Sequence, residues 1–274
     1  MKKILALSLA LLFVLAAFAG CGGKTETAGS NGSDSAGKAE KLVMATNASF
    51  PPYEFKEGED FAGIDVEIAK EIAKKLNREL EIVDTEFGSI IGGVQSGKFD
   101  MGMAGMTVTE ERKQSVNFST TYATAVQSVI VKEDSEYTSF QDFYETAEDG
   151  SFTVKDGIII GVQQDTTGDI YASDLPENSG FGEENIIRYK TGNDAVQALV
   201  AGKVTAVIID NEPAKSYVAS NEGLKILDGE YTQEEYAICV AKENTELLDQ
   251  INAALAELTA DGTIEQIVRK YIPA

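Results

Sequence analysis

The chain has 274 residues, and 45 acidic against 23 basic side chains give it a formal net charge of −22, with no histidine and only two cysteines. Without histidine there is no Ser-His or Cys-His nucleophile pair and no imidazole ligand for a metal. Two distant cysteines make neither a CxxC redox motif nor a four-cysteine zinc site. The acid excess argues against nucleic acid as a partner, because phosphate binding needs clustered Lys and Arg. We therefore expect no metal, no cofactor and no nucleic-acid partner.

The N-terminal 40 residues predict export and tethering. Two lysines precede an apolar run over residues 4–18, which ends in small residues, so residues 1–20 are predicted to be a signal peptide. A retained membrane anchor is the alternative, since the run is at the lower limit for a membrane-spanning helix. Residues 21–40 contain no bulky apolar side chain and predict a flexible tether.

From Lys41 onward, apolar strand-like runs alternate with helical segments, and the same order occurs twice. Ile64, Ile68 and Ile72 recur at a spacing of four, which indicates one buried helix face. The first unit has predicted strands over residues 42–45, 81–83 and 99–104 and predicted helices over 64–76 and 89–96. The second has predicted strands over 158–162, 186–189 and 204–209 and predicted helices from residue 167 and over 194–201.

The two units also have similar amino-acid sequences at one helix-to-strand junction. VQSGK at 94–98 corresponds to LVAGK at 199–203, and each glycine is a predicted left-handed helix cap. Apolar strands joined by helical crossovers are typical of parallel sheets covered by helices on both faces. The sequence therefore predicts an α/β protein built from two similar units.

The ends of the predicted strands indicate where a ligand binds. In open α/β sheets ligands bind beyond the carboxyl ends of the strands. These ends are Asn47 and Gly105 in the first unit and Gln163 and Asp210 in the second. We expect all four to line one cleft between two lobes, because such clefts are favoured sites for small ligands.

The chain is predicted to cross between the lobes twice. The extended apolar runs 125–131 and 236–241 are the crossings, and the amphipathic helices 246–258 and 264–271 then return to the first lobe. Two crossing strands can act as a hinge. Cys239, inside the second crossing, is predicted to pack in the core rather than to react.

Four motifs carry a resemblance to a known family. They are NASFPPYEF (47–55), GIDVEIA (63–69), GMTVTEER (105–112) and VNFS (116–119). In this order they closely resemble the family 3 extracellular solute-binding proteins, which are the amino-acid receptors of ABC importers. The resemblance extends over essentially all of residues 41–274.

The resemblance implies a two-lobe, type II periplasmic-binding-protein-like fold. In that fold each lobe is a mostly parallel sheet with helices on both faces, and two hinge strands join the lobes. The implied division is residues 41–126 plus 237–274 for lobe 1 and 127–236 for lobe 2. The predicted repeat and the double crossing agree with it.

A second resemblance concerns the N-terminus. Phe18-Ala19-Gly20-Cys21 resembles the lipobox of bacterial lipoproteins, whose cysteine becomes the lipidated N-terminus. Phe18 stands where that motif usually has Leu and keeps a bulky apolar group there. The resemblance implies lipidation at Cys21 and an extracytoplasmic protein anchored by lipid to the bacterial cell membrane.

The family resemblance also implies roles for the ligand's charged groups. Arg112 matches the arginine that clamps the α-carboxylate, for which a planar two-pronged donor is suited. Thr107 matches a residue that gives its backbone N–H and hydroxyl to this carboxylate, and Thr167 matches a second-lobe N–H donor. Gly105 matches the carbonyl that accepts from the α-ammonium, and Asp210 matches the acid that pairs with it.

The remaining predicted positions concern the ligand's side chain. Phe50 and Phe87 match the aromatics that enclose it. Asn47 replaces an aspartate found in several receptors for polar and basic amino acids, and Gln163 is neutral as well. We therefore favour a polar uncharged ligand, cystine included, with a cationic amino acid next. Residues 144–156 are longer than the family's usual link and predict a surface insertion.

Each of these residues also has a plain structural interpretation. Arg112 fits the first turn of a helix capped by Thr109, and Asp210 fits a strand-end cap. The two phenylalanines fit core positions. For Asp65 and Glu67 we expect only a solvated helix face and no role.

We expect a monomeric, non-enzymatic receptor that captures a free L-amino acid and delivers it to an ABC transporter permease. One alternative is a dehydratase of cyclic acids on the same fold, which would need Asp210 or Asp165 as its general acid. A second is a ligand-sensing domain, which would need an effector segment that this sequence does not contain.

Overall fold

The computed structural model describes residues 40–146, 148, 150–229 and 231–273. The predicted signal peptide, the lipidation site Cys21 and the predicted tether up to residue 39 lie outside the described residues. None of the helices within the described ranges is both long enough and apolar enough to cross a membrane.

The helices are α1 (Ile64–Lys75), α2 (Ile90–Gln95), α3 (Glu110–Ser115), α4 (Thr167–Ser173), α5 (Gly192–Val200), α6 (Asn211–Ser220), α7 (Thr245–Ala260) and α8 (Thr263–Tyr271). The strands are β1 (Lys41–Thr46), β2 (Ser49–Phe50), β3 (Glu54–Glu57), β4 (Asp60–Ala62), β5 (Glu79–Asp84), β6 (Met101–Gly102), β7 (Val116–Phe118), β8 (Ala123–Lys132), β9 (Tyr144–Thr146), β10 (Phe152–Val154), β11 (Ile160–Gln163), β12 (Ile186–Tyr189), β13 (Ala206–Asp210), β14 (Leu224–Ile226), β15 (Thr232–Tyr236) and β16 (Cys239–Ala241).

Lobe 1 is built on a five-stranded sheet with the order β5-β1-β6-β16-β7. Strand β1 is parallel to β5 and β6, whereas β16 is antiparallel to β6 and β7. Helices α1, α2, α3, α7 and α8 belong to this lobe. The predicted apolar face of α1 is confirmed, because Ile64, Ile68 and Ile72 are fully buried.

Lobe 2 is built on a six-stranded sheet with the order β12-β11-β13-β8-β14, and β15 pairs with β8. Strands β12, β11 and β13 are parallel, and β8 runs antiparallel to β13. Helices α4, α5 and α6 pack on this sheet. Every residue of β13 is buried, as expected for a central strand with helices on both faces.

The chain crosses between the sheets at two adjacent segments. One leads from β7 to β8, and the other joins β15 to β16. The two are hydrogen-bonded to each other, from Ser119 N to the Ile238 carbonyl at 2.9 Å and from Tyr122 N to the Tyr236 carbonyl at 3.0 Å. Two adjacent connections of this kind can act as a hinge.

The structure differs from the sequence prediction in several elements. The predicted strand 99–104 is only the two-residue β6, although Met103 N still donates to the Ala45 carbonyl of β1 at 3.0 Å. Helix α6 and the small sheet β2-β3-β4 were not predicted. Strands β9 and β10 form an antiparallel hairpin within the predicted insertion. Cys239 is fully buried in β16, which confirms its predicted core position.

Candidate ligand-binding site

One narrow pocket lies between the lobes. All nine residues named from the sequence line it: Asn47, Phe50, Phe87, Gly105, Thr107, Arg112, Gln163, Thr167 and Asp210. The lining also includes Glu54, Ala104 and Thr166, which the sequence did not single out. The structure therefore brings the predicted residues of both lobes to one place.

The strand ends account for this convergence. Asn47 directly follows β1, and Gln163 and Asp210 are the last residues of β11 and β13. Gly105 follows β6 in a left-handed conformation with φ of +49°. A Cβ atom there would lie 2.9 Å from the Phe50 ring, so this turn requires glycine for both its backbone angle and its space.

Arg112 is a buried cation that forms no ion pair within the part of the chain that the structure describes. The Thr109 hydroxyl accepts from Arg112 N at 3.1 Å and so caps α3, as predicted. The Arg112 guanidinium donates to the Thr107 carbonyl at 2.8 Å and to the Asp165 carbonyl at 3.0 Å. It lies 5.2 Å from the centre of the Phe87 ring.

The other three arginines form ion pairs with carboxylates, whereas Arg112 forms none within the described residues. Burial lowers the pKa of the Arg112 guanidinium, and the negative charges of Glu234 and Asp210 oppose this shift. A buried guanidinium held by carbonyls alone is a ready partner for an incoming carboxylate.

Asp210 provides the opposite charge in the same pocket. Its Oδ1 accepts from the Tyr236 hydroxyl at 2.5 Å. Burial and then the charge of Glu234 raise the pKa of Asp210 to about 7. A ligand cation beside Asp210 would favour its ionised form and thereby bring this pKa down.

The two lobes touch around the pocket. Gln163 Nε2 of lobe 2 donates to Asn47 Oδ1 of lobe 1 at 2.9 Å, and Asn47 Nδ2 donates to the Thr85 carbonyl at 2.8 Å. Outside the pocket, the Tyr217 hydroxyl donates to the Ser49 carbonyl at 2.5 Å. The pocket is thus enclosed by a closed arrangement of the lobes.

The expectation that Asp65 and Glu67 form a solvated helix face is wrong for Asp65. Asp65 is fully buried, and its Oδ2 accepts from Gly105 N at 2.8 Å and from the Tyr122 hydroxyl at 2.9 Å. Glu67 is half-buried and accepts from Lys270 and from the Tyr271 hydroxyl. The helix period alone misplaced Asp65, because it does not reveal that the loop at Gly105 covers the first turn of α1.

Among the pocket residues that sequence reasoning missed, Glu54 is the titratable one. It is almost fully buried next to Asp65, and burial followed by the charge of Asp65 raises its pKa well above the usual range. Neither Glu54 Oε2 nor Asp65 Oδ1 accepts a hydrogen bond from any other donor group among the described residues. One proton held by Glu54 and donated to Asp65 satisfies both atoms, so Glu54 contributes a neutral group to the pocket.

No cluster of His, Cys, Asp and Glu that could hold a metal ion occurs within the described ranges. The pocket lining instead combines the buried cation Arg112 and the buried acid Asp210 with aromatic and amide side chains. That arrangement suits a small ligand that carries both charges.

The fold and the pocket define a class: two-lobe, type II binding proteins that enclose a small solute between their lobes. The chain belongs to the bacterial extracellular solute-binding proteins, family 3, whose family model matches residues 42–274. It is thus an extracytoplasmic solute-binding protein and not an enzyme, and the predicted type II fold is confirmed.

Two relatives from Bacillus subtilis (strain 168) are named for the amino acids that they bind. The arginine-binding extracellular protein ArtP is 33% identical over 89% of this chain and 90% of its own length. The ABC transporter glutamine-binding protein GlnH is 28% identical over 99% of this chain and 98% of its own.

Solved structures give the same picture. An ancestral arginine-binding protein bound to arginine has a TM-score of 0.75 and 36% identity, covering 86% of this chain and 100% of its own. An ancestral arginine-binding protein bound to glutamine also has a TM-score of 0.75 and 36% identity, covering 85% of this chain and 98% of its own.

Proposed function

We propose that this protein binds one free L-amino acid in the pocket between its lobes and delivers it to the permease of an ABC importer. The observation that carries the proposal is the buried, unpaired guanidinium of Arg112 in the same pocket as the buried acid Asp210. A zwitterion supplies the missing partner to each.

The α-carboxylate is assigned to Arg112. The Thr107 carbonyl and the Asp165 carbonyl hold the guanidinium from both lobes, and the Phe87 ring supports one face. A carboxylate that binds a guanidinium in a closed, low-dielectric pocket forms a stronger pair than at the surface. Thr167 supplies a further donor from lobe 2.

The α-ammonium is assigned to Asp210 and to the Gly105 carbonyl. Asp210 is ionised most readily when a cation lies beside it, so the ammonium stabilises the charged form that binds it. Asp65 holds the Gly105 N–H from behind and thereby fixes the turn that presents this carbonyl.

The ligand's side chain is assigned to the region of Phe50, Asn47 and Gln163. Asn47 and Gln163 are neutral hydrogen-bonding groups, and Glu54 is held in its neutral form beside Asp65. A neutral subsite favours a polar uncharged side chain, as in glutamine or cystine, with arginine next. Relatives named for arginine and for glutamine, and solved relatives bound to either, support this pair as first test ligands.

We further propose that Cys21 is lipidated after removal of residues 1–20, that residues 21–40 tether the receptor to the membrane, and that it acts as a monomer. The support is the lipobox-like FAGC and the Gly- and Ser-rich composition that follows it. The division into lobe 1 over 41–126 plus 237–274 and lobe 2 over 127–236 remains our proposal for the moving units.

Isothermal titration of the tether-free protein against the twenty amino acids and cystine tests the proposal. We expect one or a few ligands to bind, and Arg112→Ala to abolish their binding, because no other described cation faces the carboxylate position. Lys113→Ala is the matched control, since its exposed neighbouring side chain contacts only Glu110 among the described residues. Unchanged affinity in Arg112→Ala, or no ligand for the unaltered protein, would overturn the assignment.

A further inference from the structure

One carboxylate behind the pocket connects hydroxyl groups from both lobes. Glu234 lies on β15 next to the second crossing and is buried, although it does not line the pocket. Its Oε2 accepts from the Thr107 hydroxyl of lobe 1 at 3.0 Å and from Gln127 Nε2 at 3.0 Å. Gln127 Nε2 also lies 3.4 Å from the Thr167 hydroxyl of lobe 2.

These contacts decide what the Thr107 hydroxyl can offer a ligand. A hydroxyl has a single proton, and at Thr107 this proton is donated to Glu234. Toward the pocket the Thr107 oxygen can then only accept. The resemblance implied that both this hydroxyl and the backbone N–H of Thr107 donate to the ligand's carboxylate, and the geometry leaves only the N–H in that role.

The backbone N–H of Thr107 is free of the neighbouring strand and can take this role. Thr107 is bridged to Tyr236, and the flanking hydrogen bonds run from Val108 N to the Glu235 carbonyl at 3.0 Å and from Ala237 N to the Met106 carbonyl at 3.1 Å. In such a pair the central residue's own N–H and C=O point away from the partner strand. The Thr107 carbonyl meets Arg112 on that side, so its N–H faces the same region.

The Thr167 hydroxyl, in contrast to that of Thr107, can donate toward the pocket. The Gln127 amide donates toward the Thr167 oxygen, which leaves the Thr167 proton available. That proton can go to a ligand or to the Thr107 oxygen, which lies 3.4 Å away. On the same helix, burial and then Glu234 raise the pKa of the Tyr171 phenol.

We propose that Glu234 is a positioning residue of the amino-acid site: it makes Thr107 an acceptor and Thr167 a donor and joins the two lobes behind the ligand. This inference rests on the proposed function for its ligand, whereas the link between Glu234 and Thr107 exists without one. Because β15 leads directly into the crossing at Tyr236, the link also couples hinge position to the pocket.

A double-mutant cycle between Glu234→Ala and Thr107→Val tests the proposal. We expect Glu234→Ala to weaken binding of the preferred amino acid by about tenfold or more, as for loss of a hydrogen bond to a charged group. Thr107→Val should add little in the Glu234→Ala background. Glu234→Gln, which keeps an acceptor oxygen, should recover most of the affinity, and Glu235→Ala, an exposed neighbour on β15, is the matched control.

The denaturant midpoints of the same variants, measured without ligand, separate the positioning role of Glu234 from the proposed function. If no amino acid binds the unaltered protein, the proposed function fails, and non-additive midpoints still establish the Glu234–Thr107 link. If the unaltered protein binds but Glu234→Ala binds equally well, or the Glu234→Ala and Thr107→Val losses simply add, the positioning role is overturned. If Glu234→Ala does not fold, the cycle is repeated with Glu234→Gln in its place. Additive losses of affinity for Glu234→Gln and Thr107→Val would then contradict the proposal.

Discussion

The carboxylate of Asp65 accepts the backbone N–H of Gly105 at 2.8 Å and so fastens the pocket turn of lobe 1 to the first turn of α1. The same oxygen accepts from the Tyr122 hydroxyl, on the first crossing segment. Asp65 is fully buried, so no water replaces these bonds. One side chain thereby links helix, hinge and ligand-facing turn.

Asp65→Ala should weaken both the fold and the binding of the amino acid. It removes the acceptor of the Gly105 N–H, the Tyr122 hydroxyl and the protonated Glu54, and each unsatisfied donor costs roughly 1–3 kcal/mol, so the free energy of unfolding should fall by about 3 kcal/mol or more in urea titration. Tyr122→Phe is the matched control, because it removes only the hydroxyl and keeps the Gly105 tie. Wild-type affinity in Asp65→Ala would contradict the proposed function of this contact.

Asn47→Asp should shift the preference of the pocket toward arginine. The substitution keeps an acceptor for Gln163 Nε2 and adds a negative charge to a neutral subsite. Titration with arginine and glutamine should give a Kd ratio moved toward arginine by about tenfold, the scale of one charge-assisted hydrogen bond. Asn47→Ala, which removes the amide without adding charge, should not move the ratio in that direction. An unchanged ratio in Asn47→Asp would show that the side chain binds elsewhere.

Much of this site was predictable from the sequence, and the reason is geometric. The carboxyl ends of parallel strands share one edge of a sheet, so Asn47, Gly105, Gln163 and Asp210 could be placed together from the strand order alone. Glu54, Asp65 and Glu234 could not be placed in the same way. Their burial depends on which loop covers them, and neither helix nor strand period contains that information.

Asp210 should give stability and affinity opposite dependences on pH. Its pKa is raised from 3.8 to about 7 in the folded protein, and that of Asp65 is raised to about 6, so between pH 4 and 7 the folded state binds more protons than the unfolded state. Their contribution to the stability of the ligand-free protein is therefore complete below pH 4 and is lost as pH rises to about 7.

Ligand affinity should rise over the same range, because an ammonium binds the ionised carboxylate. Titration at several pH values should give up to about tenfold weaker binding per unit below the pKa of Asp210. Asp210→Asn keeps an acceptor for the Tyr236 hydroxyl and should bind weakly with little dependence on pH. A variant that retains the wild-type pH profile would exclude Asp210 as the titrating group.

Gly88 should control closure of the lobes without contacting the ligand. A Cβ atom at Gly88 in lobe 1 would lie 2.1 Å from Asp165 Oδ2 and 2.9 Å from Asp165 Cγ in lobe 2. Since Gly88 has no left-handed backbone angle, Gly88→Ala strains no turn and acts only against the facing lobe. We expect weaker binding and a larger radius of gyration by small-angle scattering with ligand present, while the ligand-free melting temperature stays near that of the unaltered protein.

The Asp165 side chain supplies the control for this prediction. Removing it in the double variant Gly88→Ala, Asp165→Ala should restore both affinity and compactness, because the clash disappears while the Asp165 carbonyl still accepts from Arg112. Gly92→Ala, on α2 with no atom within 4 Å of its added Cβ, should have no effect. If Gly88→Ala binds as tightly as the unaltered protein, the ligand does not require the closed contact between Gly88 and Asp165, and the hinge model of capture fails at this point.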